Sequence, residues 1–178
     1  MKERNAKIKK ASKECAYVAV FAALLIAAQL CLAFLPGVEI VTVLFIAYSF
    51  TFGVRRGVLS AVAFSILRQL VFGFFPIVLM LYLIYYPLLA LLFGFLGGRV
   101  KKPTHSLWWM TVLACLCTVC FTMLDNVLTV LWYSSTKEAA KAYFISSLSV
   151  LMPHVLCTAL TVTLLFLPLE RVFRLVKS

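Results

Sequence analysis

Long apolar runs, separated by short breaks of turn residues and charges, divide the chain into six segments. The first runs from about Cys15 to Leu35 and stops at Pro36-Gly37; the second, about Val38 to Gly53, stops at Arg55-Arg56. The third covers about Gly57 to Phe75, and the fourth, about Ile77 to Gly98, ends in Gly97-Gly98 before Arg99. The fifth covers about Leu107 to Tyr133 and the sixth about Ala139 to Leu169. None alternates strictly between apolar and polar. Only a helix or a closed barrel satisfies its own backbone in lipid, so runs of this length and pattern predict helices. The expected fold class is an all-α integral membrane protein, a bundle of six transmembrane helices. Residues 1–14 form a basic tail, and 15–178 form a single transmembrane domain.

Composition agrees. Of 178 residues, 64% are hydrophobic and 13% charged, whereas a soluble domain is about half apolar and about a quarter charged. Six crossings at about 20 residues each use about 120 residues. The remainder is expected to be short loops and tails, with no attached ATPase, kinase or binding domain.

The formal charge of +11 would point to nucleic acid in a soluble protein, but here the basic residues cluster between the apolar runs. The tail carries six (Lys2, Arg4, Lys7, Lys9, Lys10, Lys13), and one set of loop positions adds Arg55, Arg56, Arg99, Lys101, Lys102, Arg171, Arg174 and Lys177. The opposite set holds only Lys137 and Lys141. By the positive-inside rule both termini are cytoplasmic, in a multi-pass protein of the cell membrane, and the loops at 36–38, 73–77 and 134–141 face outward. The basic start precedes a full-length run and five more, so it is expected to be a retained tail and not a cleaved signal.

Three charges fall within or at the edge of the apolar runs: Glu39, Arg68 and Asp125. A charge in the bilayer costs about 2.5 to 3.5 kcal/mol on insertion scales, which makes each a candidate for function. All three are expected in the outer half, where Arg68 pairing with Asp125 or Glu39 to lock helices together is the structural alternative. Thr111, Cys115, Thr118, Thr122, Asp125, Thr129 and Trp132 recur at steps of four and three, forming one stripe on span five. Tyr143, Ser147, Val150, His154, Cys157 and Thr161 do the same on span six. These stripes are expected to face each other or a cavity, although Ser and Thr also serve simply to join membrane helices. Asn126 lies about 100° from its stripe.

Tyr82, Tyr85 and Tyr86 cover most of the circumference of span four, so at least one should face inward, where a planar ligand could stack. Pro153 frees a carbonyl one turn earlier and makes a polar niche beside His154, which is either a structural histidine or a member of a proton relay. Cys115, Cys117 and Cys120 do not converge on one helix as metal ligands must. No metal or other cofactor is expected. The chain has no G-x-x-x-x-G-K-[ST], H-E-x-x-H or G-x-S-x-G pattern, and its halves show no inverted repeat, so neither an enzyme nor a self-sufficient transporter is evident.

Span one reads Ala16-Tyr17-Val18-Ala19-Val20-Phe21-Ala22-Ala23-Leu24-Leu25-Ile26-Ala27-Ala28. Small residues one turn apart let another helix approach closely. With six spans, both ends inside, this stripe, and the turn Leu35-Pro36-Gly37-Val38-Glu39 opening span two, the chain resembles the substrate-binding S component of energy-coupling factor (ECF) vitamin transporters. The resemblance implies that Ala19, Ala23 and Ala27 dock on a transmembrane T component, itself coupled to two ATPase subunits. It also implies capture of a vitamin or related micronutrient from outside. Riboflavin, cobalamin, a thiamine precursor and queuosine precursors all remain open. The expected contacts for a small ring-containing nutrient are Asp125, Asn126, Trp132, Tyr82, Tyr86 and His154, supported by Glu39 and Arg68. The rival readings are a proton-coupled secondary transporter using Asp125 and His154, and a membrane assembly protein that binds no ligand.

Overall fold

The computed structural model describes residues 2–32, 40–100, 103–133 and 136–177. Six helices occupy nearly all of them: α1 (Lys2–Leu32), α2 (Val41–Phe52), α3 (Val54–Phe72), α4 (Pro76–Arg99), α5 (Pro103–Tyr133) and α6 (Lys137–Lys177); no strand occurs among the described residues. Four of them (α1, α4, α5 and α6) are long and apolar enough to cross a membrane. The other two differ from the expected pattern in instructive ways. At 1.5 Å per residue the 12 residues of α2 rise only about 18 Å, short of a hydrocarbon core of about 30 Å. The 19 residues of α3 are long enough but carry Arg55, Arg56 and Arg68. The basic tail, expected to be separate from span one, continues it as one helix from Lys2.

The short helix is the centre of the molecule. Every residue from Val41 to Thr51 is buried, because α2 packs against α1, α3, α4 and α6 at once. A helix apolar on all sides needs such complete enclosure. The enclosure is aromatic: Phe45 stacks on Tyr86 at 4.7 Å and meets Phe64 edge-on at 5.7 Å, while Tyr48 stacks on Phe21 at 3.7 Å. Gly53 alone separates α2 from α3, and its φ of 87° is a backbone conformation open to glycine at little steric cost. At the far end of α4, a Cβ on Gly97 would lie 2.0 Å from the Phe50 carbonyl oxygen, so only glycine lets α4 close on α2.

The basic end is tied together by polar contacts. Arg56 grips Glu14 through Nε–Oε2 at 2.8 Å and Nη2–Oε1 at 2.5 Å, joining α3 to the tail portion of α1. Lys177 Nζ donates to the Thr51 carbonyl at 2.5 Å, satisfying one of the open carbonyls in the last turn of α2. Arg174 pairs with the buried Glu170 one turn away. α5 packs only on α4 and α6, so α5 and α6 form a hairpin that stands beside the core. Its outward surface carries Leu131, Phe144, Leu148, Met152 and Leu160, all exposed, as a surface meant for lipid would be.

Candidate functional site

The stripe on α5 faces α6. Thr118 and Thr158 hydroxyls meet at 2.9 Å, Thr111 and Thr163 at 3.4 Å, and Cys115 Sγ donates to the Val155 carbonyl at 3.9 Å. These three partners on α6 all lie outside the predicted stripe, and Thr161 of that stripe instead donates back to the Cys157 carbonyl within its own helix. This ladder joins the hairpin near its middle. Beyond it, toward the end opposite the basic cluster, the helices leave a cavity of about 300 Å³ lined by Phe121, Thr122, Asp125, Tyr143, Ser146, Ser147, Val150 and His154.

Asp125 presents a carboxylate to this cavity, and the Tyr143 hydroxyl donates to its Oδ2 at 3.2 Å. Next to it Asn126, 3% exposed, donates through Nδ2 to Ser147 Oγ at 2.7 Å. Its Oδ1 is buried without a hydrogen-bond partner. Asn126 is expected about 100° off the stripe, yet its side chain reaches Ser147 of α6; it is not among the residues that line the cavity. Ser147 in turn donates to the Phe144 carbonyl at 2.8 Å, so this wall is held by successive hydrogen bonds. Among the described residues no lysine or arginine lines the cavity.

Phe121 connects the cavity to α4. Its ring lies 4.7 Å from Tyr85 and 6.3 Å from Tyr82. All three α4 tyrosines are buried, with Tyr86 1% exposed, so the expected inward aromatic surface is larger than an interfacial belt would give. Tyr82 and Tyr86 nevertheless belong to the aromatic core and do not line the cavity: Tyr82 stacks on Phe64 at 5.9 Å, and Tyr86 on Phe45.

Arg68 sits with its guanidinium 4.8 Å from the Tyr82 ring centroid and 5.1 Å from that of Phe72. Its Nε and Nη1 are buried and make no hydrogen bond. Among the described residues no ion pair joins it to Asp125, and the alternative partner Glu39 lies outside the described residues; the contacts seen are those of a cation resting on rings. Gln29 of α1 donates to the Tyr82 hydroxyl at 3.2 Å. This residue was missed, although a lone glutamine in an otherwise apolar span was a visible signal.

Trp132 is 58% exposed, at the end of α5, and contributes nothing to the cavity wall. Glu39 lies outside the described residues. Ala19, Ala23 and Ala27 are all exposed, while Ala22 and Leu25 pack inward. Among the described residues no three His, Cys, Asp or Glu side chains gather as a metal site, and the six cysteines are free. No family model, curated protein or solved structure matches the chain.

Proposed function

We propose that the chain is the substrate-binding membrane subunit of an ATP-driven transporter of the energy-coupling factor type. It would cross the cell membrane six times with both termini inside, capture a small nutrient at the α5–α6 cavity from outside, and deliver it with a transmembrane partner and two ATPase subunits. It would be a transport subunit and not an enzyme. The observation that supports this reading most is the separation of two surfaces. The alanine stripe of α1 is bare and turned away from the bundle, whereas the polar cavity lies on α5 and α6. A subunit that binds on one element and couples through another needs both.

Cavity chemistry narrows the cargo. A volume of about 300 Å³ is at the small end of the range for ligand sites, which suits a one- or two-ring molecule and argues against one as large as cobalamin. A carboxylate, serine hydroxyls and no basic wall residue favour a ligand that donates hydrogen bonds, such as an amino-substituted nitrogen heterocycle.

The test is Ala19→Leu with Ala23→Leu. Added bulk on the bare stripe should abolish co-purification with a T component and transport, while equilibrium binding by the isolated subunit stays within about twofold. Loss of binding together with assembly would make the stripe internal packing, and unchanged assembly would remove its coupling role. A second reading has one specific observation in its favour: Asp125 and His154 share the cavity, as a proton relay would require. Uptake that collapses with an ionophore while ATP is maintained would favour that secondary transporter.

A further inference from the structure

At the basic end, α1 and α6 both lean on α2 and meet each other through side chains, Phe21 against Phe173 and Tyr17 against Val176. A cavity of about 400 Å³ opens between them, lined by Lys13, Ala16, Tyr17, Val20 and Leu24 of α1, by residues of α2, and by Val172 and Val176 of α6. Its floor is preformed: Phe21 stacks on Tyr48 at 3.7 Å, and Phe173 meets both edge-on at 6.0 and 5.8 Å. The Tyr17 hydroxyl also crosses the gap, donating to the Val176 carbonyl at 3.3 Å. The rim is apolar and open, with Val20 70% exposed.

We infer that this groove binds one acyl chain of an anionic phospholipid, with the headgroup phosphate held at Lys13. Three observations carry the inference independently of the transport reading. First, length: from Lys13 to Leu24 the groove runs along eleven residues of α1, about 16 Å, which matches one leaflet, half of a hydrocarbon core of about 30 Å. Second, lining: apart from Lys13 and the hydroxyls of Tyr17 and Tyr48, every side chain in the groove is hydrocarbon, the surface an alkyl chain packs against. Third, charge: Lys13 is the one charged residue in the lining and forms no ion pair among the described residues. The neighbouring Glu14 is engaged by Arg56. Basic residues cluster at this end, and basic pockets between membrane helices recognise anionic headgroups.

The groove and the alanine stripe centre on different faces of α1. At 100° per residue, Lys13, Val20 and Leu24 centre about 80° around the helix from Ala19, Ala23 and Ala27, and of the lining residues Ala16 lies at the angle of the stripe.

Native mass spectrometry of the full chain, given phosphatidylglycerol and phosphatidylcholine with identical chains, tests this. Wild type should retain phosphatidylglycerol at least fivefold over phosphatidylcholine, the effect expected of one basic side chain near an anionic phosphate. Lys13→Gln should bring the two lipids level and Lys13→Arg should restore the preference. Val20→Trp or Val176→Trp, on opposite walls, should strip both lipids while the thermal transition persists. Equal retention by wild type, a preference unchanged in Lys13→Gln, lipid retained in both tryptophan variants, or a protein dimer in place of a lipid adduct would each overturn the proposal.

Discussion

The α2 core and the α5–α6 hairpin contain similar apolar side chains but are held by different chemistry. Around α2, eleven consecutive residues are buried and the contacts are ring against ring. In the hairpin the outward residues stay exposed, and the helices are joined through hydroxyls, an amide and a carboxylate. In lipid there is no hydrophobic gain in bringing two apolar helices together, so association must come from close packing or from polar contacts. The core uses the first. The hairpin uses the second, and its polar groups can therefore be shared with a ligand.

The comparison predicts unequal responses to truncation. Phe45→Ala opens a hole at the junction of Tyr86, Phe64 and Phe21 and should cost about 3 to 5 kcal/mol, whereas Leu131→Ala, 77% exposed, should cost less than about 0.5 kcal/mol. Reversible unfolding in mixed micelles measures both, and similar costs would erase the distinction. Adjacent glycines sharpen it further. Gly97→Ala forces α4 away from the Phe50 backbone and should cost about 1 to 3 kcal/mol. Gly98→Ala, with no atom within 4 Å of the added carbon, should be neutral or gain up to about 1 kcal/mol from reduced backbone freedom. The smallest effect belongs to the hairpin. A double-mutant cycle with Thr118→Val and Thr158→Val should give a coupling near 0.6 kcal/mol, the average for hydrogen bonds between membrane helices. A value above about 2 kcal/mol would mean the ladder, and not the rings, holds the fold.

Sequence periodicity carried the helical class, the punctuation between elements, the polar stripe on α5 and the small-residue stripe on α1, because each is a property of one helix. It did not carry what depends on two helices at once. Thr158 and Thr163 meet α5 where the stripe on α6 predicted Thr161, since the phase of α6 is set by its crossing with α5. Arg68 rests on Phe72, its i,i+4 neighbour on α3, and on Tyr82 of α4, and the second contact is one that spacing along α3 cannot show. Nor could periodicity show that the apolar run of α2 is enclosed by four neighbouring helices, since an apolar run looks alike whether it faces lipid or protein.

The most direct test of the account is whether the carboxylate of the hairpin holds a small molecule. Wild type and Asp125→Asn, purified side by side from cells grown in rich medium, would be compared by mass spectrometry of what each releases on denaturation. Tyr143 can donate to the asparagine carbonyl as it does to the carboxylate, so the fold should survive, with the thermal transition moving by no more than a few degrees. The account predicts a ring-bearing, nitrogen-containing compound released by wild type and at least tenfold depleted from Asp125→Asn. The same compound in equal amount from both proteins, or none from wild type, would contradict it.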